Sequence, residues 1–302
     1  MPLPARLCLP LILLLAPLLR AQSVALTFDD GPDLQALGLD RARAVNAGIL
    51  KALAAGKVHG ALFACGKRVD SPEGWALVRA WGEAGHLVAN HSYGHPSLAS
   101  AKVDLAAFTA DAERMDALLR PLPGFAPLFR FPFLKEGDTA EKRDGFRAWM
   151  KARGYRNGAV TIDASDWYYD LRFAAWRKAR PGAATGVFRD AYLDHLWDRA
   201  QYYEGLARRL GLKDVKHTLL LHTNELNAAF LPDILAMFRR KGWAVVDAKA
   251  AFEHPVFAQA PDVLPAGESL LWSLAKARGL PGLRYPAEDG DYEKPLLDAF
   301  GF

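Results

Sequence analysis

Cysteine is nearly missing from this chain: two residues among 302, Cys8 and Cys65. Cys8 lies in an apolar N-terminal stretch expected to be removed, which leaves Cys65 alone and excludes an intrachain disulfide. Cys65 sits in GALFACG (60–66), the setting of a small core residue. A long hydrophobic run is also missing. The stretch LCLPLILLLAPLL (7–19) is shorter than the ~20 residues that a membrane-spanning helix needs. Arg6 precedes it, and Arg20, Ala21 and Gln22 follow. A basic start, a short apolar centre and a small residue before a polar one describe a secretory signal peptide, 1–21. An anchor that stays attached is the alternative. The mature chain is then expected to be secreted or periplasmic, without a stable membrane span. A dominant charge is lacking as well. Losing Arg6 and Arg20 takes the 38 basic residues to 36 against 34 acidic ones, so the net charge falls from +4 to +2. A nearly neutral chain gives no reason to invoke nucleic acid. No Gly/Ser linker, low-complexity tract or internal repeat divides the sequence.

What is present is ordinary globular material, 51% hydrophobic and 24% charged, with ample substance for a large core. Short apolar runs alternate with helical patterns. VALTF (24–28), ALFAC (61–65), HLVAN (86–90), PLFRF (127–131), AVTI (159–162), TLLL (218–221) and WAVV (243–246) are strand candidates. Helical spacing between them covers 41–55, 75–84, 104–119 and 142–153. Strands separated by helices point to βαβ units and a parallel sheet, either open or closed into a barrel. The stretch 168–216 is long for a connection. Within it, Phe188, Tyr192, Leu196, Ala200, Tyr203, Ala207 and Leu210 follow helical spacing, as a helix packed on the body would; an aromatic lid over a sugar is the alternative. The tail, 253–302, is rich in Pro and Gly and carries a short helix around 269–276.

Polar residues gather where the strand candidates end, the place where parallel α/β folds collect function. TFDDG puts Asp29 and Asp30 side by side just before Gly31. Two adjacent carboxylates repel, and a regular strand would send them to opposite faces; a plain polar turn is the bland reading. His91 and His95 are four apart, so one helical turn would bring both imidazoles to one face. Two imidazoles near a carboxylate suit Zn²⁺ or a similar divalent ion. FRFPFL supplies Arg130, TIDASDW supplies Asp163, Asp166 and Trp167, and LLLHTNE supplies His222. Each alone has a structural reading: a surface charge, a helix cap, a loop histidine. Their joint occurrence at one end of the fold favours a site.

TFDDG, HSxxH, RxP, DxxDW and LxLH, in that order, resemble the five motifs of the polysaccharide deacetylase family, also called the NodB-homology or carbohydrate esterase family 4 domain. GHLVANHSYGHPSL (85–98) adds to the likeness, which spans about 24–252 outside the long stretch after Trp167. The resemblance implies a distorted (β/α) barrel, here with a helical insertion at 168–216 before the last motif, and a C-terminal extension, 253–302, packed on the 22–252 domain. It implies metal-dependent removal of acetyl groups from N-acetylated sugars of a glycan. Asp30, His91 and His95 would hold the ion, most simply Zn²⁺, with Co²⁺ or Ni²⁺ also accepted. Asp29 would be the general base, positioned by Arg130. His222 would be the general acid, oriented by Asp166. Trp167 and Leu220 would line the acetyl pocket, and the residue after Pro132, Phe133, would offer a backbone N–H to the oxyanion. Phe133 stands where the family often has Tyr, and Thr223 where Asp is common. A monomer acting on an acetylated glycan is expected. O-acetyl esters, a non-sugar amide, or glycan binding without catalysis are the competing readings.

Overall fold

An unbroken apolar run suits a strand buried on both faces, and VALTF forms the middle of such a strand in the computed structural model, which describes residues 22–302. The expected signal peptide lies outside the described residues. The strands are β1 (Ser23–Asp30), β2 (Ala61–Ala64), β3 (Leu87–Asn90), β4 (Phe125–Phe129), β5 (Lys135–Gly137), β6 (Arg156–Asn157), β7 (Lys216–His222), β8 (Ala244–Val245) and β9 (Ala266–Gly267). The helices are α1 (Leu34–Leu37), α2 (Leu39–Gly56), α3 (Pro72–Glu83), α4 (Leu105–Leu119), α5 (Ala140–Ala152), α6 (Asp166–Ala179), α7 (Gly186–Arg209), α8 (Glu225–Arg240), α9 (Ala248–Phe252), α10 (Leu270–Ala277) and α11 (Gly290–Ala299). Several helices start where a short polar side chain caps them: Asp104 accepts from Ala107 N, Thr139 from Lys142 N and Asn224 from Asn227 N.

β1 is the centre of the sheet. It pairs in parallel with β7 along one edge, from Ser23 opposite Lys216 to Asp29 opposite His222. On the other edge it meets β8 at its start and β2 at its end, where Asp30 lies opposite Ala64. β3, β4 and β6 continue the parallel sheet outward from β2. β5 and β9 form a separate antiparallel pair.

The run 159–162 does not form the strand its sequence suggests. Only Arg156 and Asn157 pair with β4. The chain then crosses to β7, where Ile162 N donates to Thr218 O (2.9 Å) and Leu220 N donates to Ile162 O (3.0 Å). This segment spans from one edge of the sheet to the other and touches β7 through the single bridge of Ile162 with Leu219. The sheet is thus curled, as a half-barrel, between its two edge strands. The fourth run also shifts: β4 ends at Phe129, although Arg130 N still donates to Asn90 O of β3 at 2.9 Å.

The stretch after Trp167 folds as α6 and α7. Phe188, Tyr192, Leu196, Ala200, Tyr203 and Ala207 are buried along one face of α7, so these aromatics belong to the core. α7 packs on α8 and α10. No helix among the described residues is long and apolar enough to cross a membrane.

A second apolar cluster supports the end of β4. Phe108, Phe129, Phe131 and Phe146 are buried together, with the Phe129 and Phe146 rings 4.7 Å apart. Truncating Phe146 to Ala leaves a cavity under the segment that delivers Arg130. Urea unfolding is expected to show a loss of about 3–5 kcal/mol for this change.

Candidate active site

The paired carboxylates of TFDDG do face one pocket. Asp30 takes φ 76° and Gly31 φ 75°, so the chain leaves the strand through two successive left-handed residues and the alternation of faces breaks. Asp29 stays buried, with Arg130 Nη1 donating to its Oδ1 at 2.8 Å. Burial raises its carboxyl to about 6; the Arg130 guanidinium opposes that rise. Arg130 is buried too. Its Nη2 donates to Thr27 Oγ1 at 3.2 Å, its Nε to the Gly158 carbonyl, and its guanidinium lies 4.1 Å from the Phe63 ring centre.

His91 and His95 reach Asp30 from the irregular loop after β3, not from a helical turn. Ser92 and His95 adopt φ 65° and 60°, and Ser92 Oγ accepts from His95 N at 3.0 Å. His91 Nδ1 lies 2.8 Å from the Arg130 carbonyl oxygen, which can only accept, so Nδ1 carries the proton and Nε2 offers a lone pair. His91 Nε2 and His95 Nε2 are 3.2 Å apart and lie 3.7 and 3.4 Å from Asp30 Oδ1. Burial lowers both imidazoles, and His95 adds to the lowering at His91, so both rings are neutral. Asp30 Oδ1 is itself buried and accepts no hydrogen bond among the described residues. Arg68 Nε lies 3.3 Å from it without bonding geometry. An orphaned carboxylate oxygen beside two imidazole lone pairs, all within 4.8 Å of one another, fits a divalent cation.

A second pair faces this group from β7. His222 Nδ1 is 2.6 Å from Asp166 Oδ1, and His222 N donates to Asp166 Oδ2 at 2.8 Å. Burial would lower the imidazole, but Asp166 and, less strongly, Asp30 and Asp29 raise it to about 10. Asn227 Nδ2 also donates to Asp166 Oδ2, at 2.7 Å. Thr223, which follows His222, donates its hydroxyl to Gly31 O at 2.6 Å and so ties the end of β7 to the end of β1.

These groups border one cavity of about 550 Å³, a size suited to a small ligand or part of a larger one. Asp29, Asp30, His91, His95 and His222 line it, together with Phe133, Trp167 and Leu220. Arg130, Pro132 and Asp166 stand behind that lining. Phe133, with φ 57°, packs its ring edge-on against His95 at 4.5 Å and remains 60% exposed; Trp167 is 48% exposed. Both rings are therefore open to a ligand in the cavity. Sequence reasoning did not place Arg68, Lys135, Glu268, Glu288 or Asp289 here, yet all line the cavity. They come from segments without any motif, and only the tertiary fold brings them in. Asp163 lines it as well; burial, and then Glu288 and Glu268, raise its carboxyl to about 7.

The sequence model of the family described as polysaccharide deacetylase matches residues 19–149. A peptidoglycan-N-acetylglucosamine deacetylase of Bacillus cereus is 30% identical over 145 residues, 48% of this chain and 46% of that protein. The chain thus matches less than half of that relative's length. The peptidoglycan deacetylase PdaC of Bacillus subtilis superposes with a TM-score of 0.53 at 21% identity, over 78% of this chain and 91% of that one. A family 4 carbohydrate esterase pseudoenzyme of Bacillus anthracis superposes equally well, at 0.53 and 16% identity, over 78% and 66%. The fold is shared, and because it also houses a pseudoenzyme, activity has to be argued from the site residues.

The donor set makes a direct prediction. Calorimetric titration is expected to find one Zn²⁺ bound per chain, with a raised Tm in the loaded protein. Asp30→Ala and His91→Ala are each expected to weaken that binding by more than about 100-fold, beyond the cost of losing a mere supporting contact.

Proposed function

From the match of residues 19–149 to the family model described as polysaccharide deacetylase, and from the fold shared with a peptidoglycan deacetylase, we propose that this protein is a metal-dependent hydrolase that removes acetyl groups from N-acetylated sugars of a glycan. The observation that carries the reading is the cavity in which a ligand triad, a buried carboxylate and a carboxylate-backed histidine meet. The relative of known name acts on peptidoglycan N-acetylglucosamine, and an N-acetylglucosamine unit is the substrate proposed here. Such a glycan lies outside the cytoplasm, consistent with the signal peptide read in 1–21.

Asp30, His91 and His95 would hold the ion, with Zn²⁺ the simplest choice for one carboxylate and two imidazoles. A divalent ion there supplies a lowered pKa for water and polarisation of the amide carbonyl. Asp29 takes the proton from the attacking water. Arg130 aims the Asp29 carboxylate and favours its ionised form. The Phe133 N–H would donate to the carbonyl oxygen as negative charge develops on it. His222, protonated at neutral pH and anchored through Nδ1 by Asp166, gives its outer proton to the departing amine. Trp167 and Leu220 enclose the acetyl methyl. The C–N bond breaks, and acetate and a free amine leave.

Purified mature chain, stripped of metal and refilled with Zn²⁺ or Co²⁺, is expected to release acetate and expose amines on N-acetylglucosamine oligomers. Metal-loaded protein that releases none from glycans, whether N- or O-acetylated, would overturn the reading. Asp29→Asn is expected to keep the metal and lose about 10²–10⁴-fold in turnover, the usual worth of a general base. Turnover in the wild type should fall as pH rises through about 10, where His222 loses its proton. Asp166→Asn removes the main group that raises His222, so that falling limb is expected to move to lower pH.

A further inference from the structure

The loop that delivers Asp166 departs from the usual helix start, although Tyr168 N donates to Ser165 O at 2.9 Å. Ser165, just before α6, sits at φ 47° and ψ 36°. A serine at this position normally caps the helix from an extended backbone. Here no cap bond forms, and Ser165 Oγ is buried without a partner among the described residues. The hold comes instead from segments that carry no motif. His195, on α7, places Nε2 2.7 Å from the carbonyl oxygen of Ala164, one residue before Ser165. Its Nδ1 lies 3.2 Å from Glu293 Oε2 on α11. Both side chains are buried. The Ala164 carbonyl can only accept, so Nε2 carries a proton, and Nδ1 faces the Glu293 carboxylate. One turn earlier on the same face, Tyr192 donates to Asn227 Oδ1 at 2.9 Å, and Asn227 in turn donates to Asp166. The Tyr169 ring fills the gap, stacked on His195 at 4.4 Å and tilted against Tyr192 at 5.4 Å.

We propose that His195, backed by Glu293, is a positioning residue for the Asp166–His222 pair, so that the inserted helix and the C-terminal extension are working parts of the proton-donating half of the site. The proposal rests on His222 being that donor. His195 lies outside the cavity lining, so it acts through the 163–165 loop and not on substrate. A residue needed only for packing would not be a buried imidazole bonded through Nε2 to the loop and facing a carboxylate through Nδ1; a phenylalanine would stack on Tyr169 without the cost of hiding polar atoms.

That comparison is the test. His195→Phe keeps a ring against Tyr169 and removes the donor; His195→Gln returns an N–H near the Nε2 position. In the metal-loaded chain, His195→Phe is expected to lower kcat by about 10- to 100-fold, the scale of a misplaced catalytic group, with KM and metal content unchanged. His195→Gln should recover most of it. Proton NMR is read alongside, without substrate: the downfield resonance of the His222 Nδ1–H held by Asp166 should shift or broaden in His195→Phe and return in His195→Gln. An unshifted resonance in folded His195→Phe overturns the proposal. So does an equal loss of kcat in both variants that merely follows their unfolded fraction in urea. Absence of acetate from the wild type counts against the proposed function alone, because the resonance does not depend on turnover.

Discussion

The Arg130 guanidinium buried beneath Asp29 is the constraint on which the rest of the site depends. A cation enclosed in the core is tolerated only if its charge and its donors are met. Asp29, Thr27 and the Gly158 carbonyl meet them. These partners belong to β1 and to the segment after β6, while the Arg130 backbone joins β3 by donating to Asn90 O and accepts from His91 Nδ1. One residue thus fixes the position of the proposed base and the tautomer of a proposed metal ligand. Removing either partner of such a buried pair typically costs about 3–5 kcal/mol, because the other charge is left unanswered.

The cavity has two halves with opposite electrostatic design. Around Asp30, burial keeps the imidazoles neutral and leaves an uncompensated carboxylate oxygen, a set of lone pairs suited to a cation. On the other side, Asp166 outweighs burial and keeps His222 charged. The same residue type is driven in opposite directions: at His91 burial wins over the opposing bond to the Arg130 carbonyl, and at His222 the Asp166 carboxylate wins over burial. Thr223 and Thr27 link the halves: each donates a hydroxyl hydrogen across the β1–β7 seam, to Gly31 O and Leu219 O respectively.

Local strain concentrates at the same place. Asp30, Ser92, His95, Phe133, Leu134 and Ser165 all take positive φ without being glycine. Such residues persist only where the surroundings over-determine them, and they cluster at functional sites. Here each departure turns a side chain or a backbone group toward or around the cavity, and the barrel packing beneath supplies the constraint.

The sequence by itself determined the strand–helix alternation and the seven chemistry-bearing residues from Asp29 to His222, because apolar runs must be buried and the residues that follow them must emerge at one edge. The helical face of α7 was legible for the same reason, in the spacing of its aromatics. The tertiary structure decided what periodicity does not encode. The run 159–162 became a crossing between sheet edges instead of a strand, touching β7 through the single bridge of Ile162 with Leu219. His91 and His95 met through a left-handed loop instead of a helical turn. Glu268, Glu288, Asp289, His195 and Glu293 joined the site or its support through contacts between segments far apart in the chain, as did Arg68 and Lys135. Such contacts leave no local pattern, because burial constrains the face of an element and not which distant element will cover it.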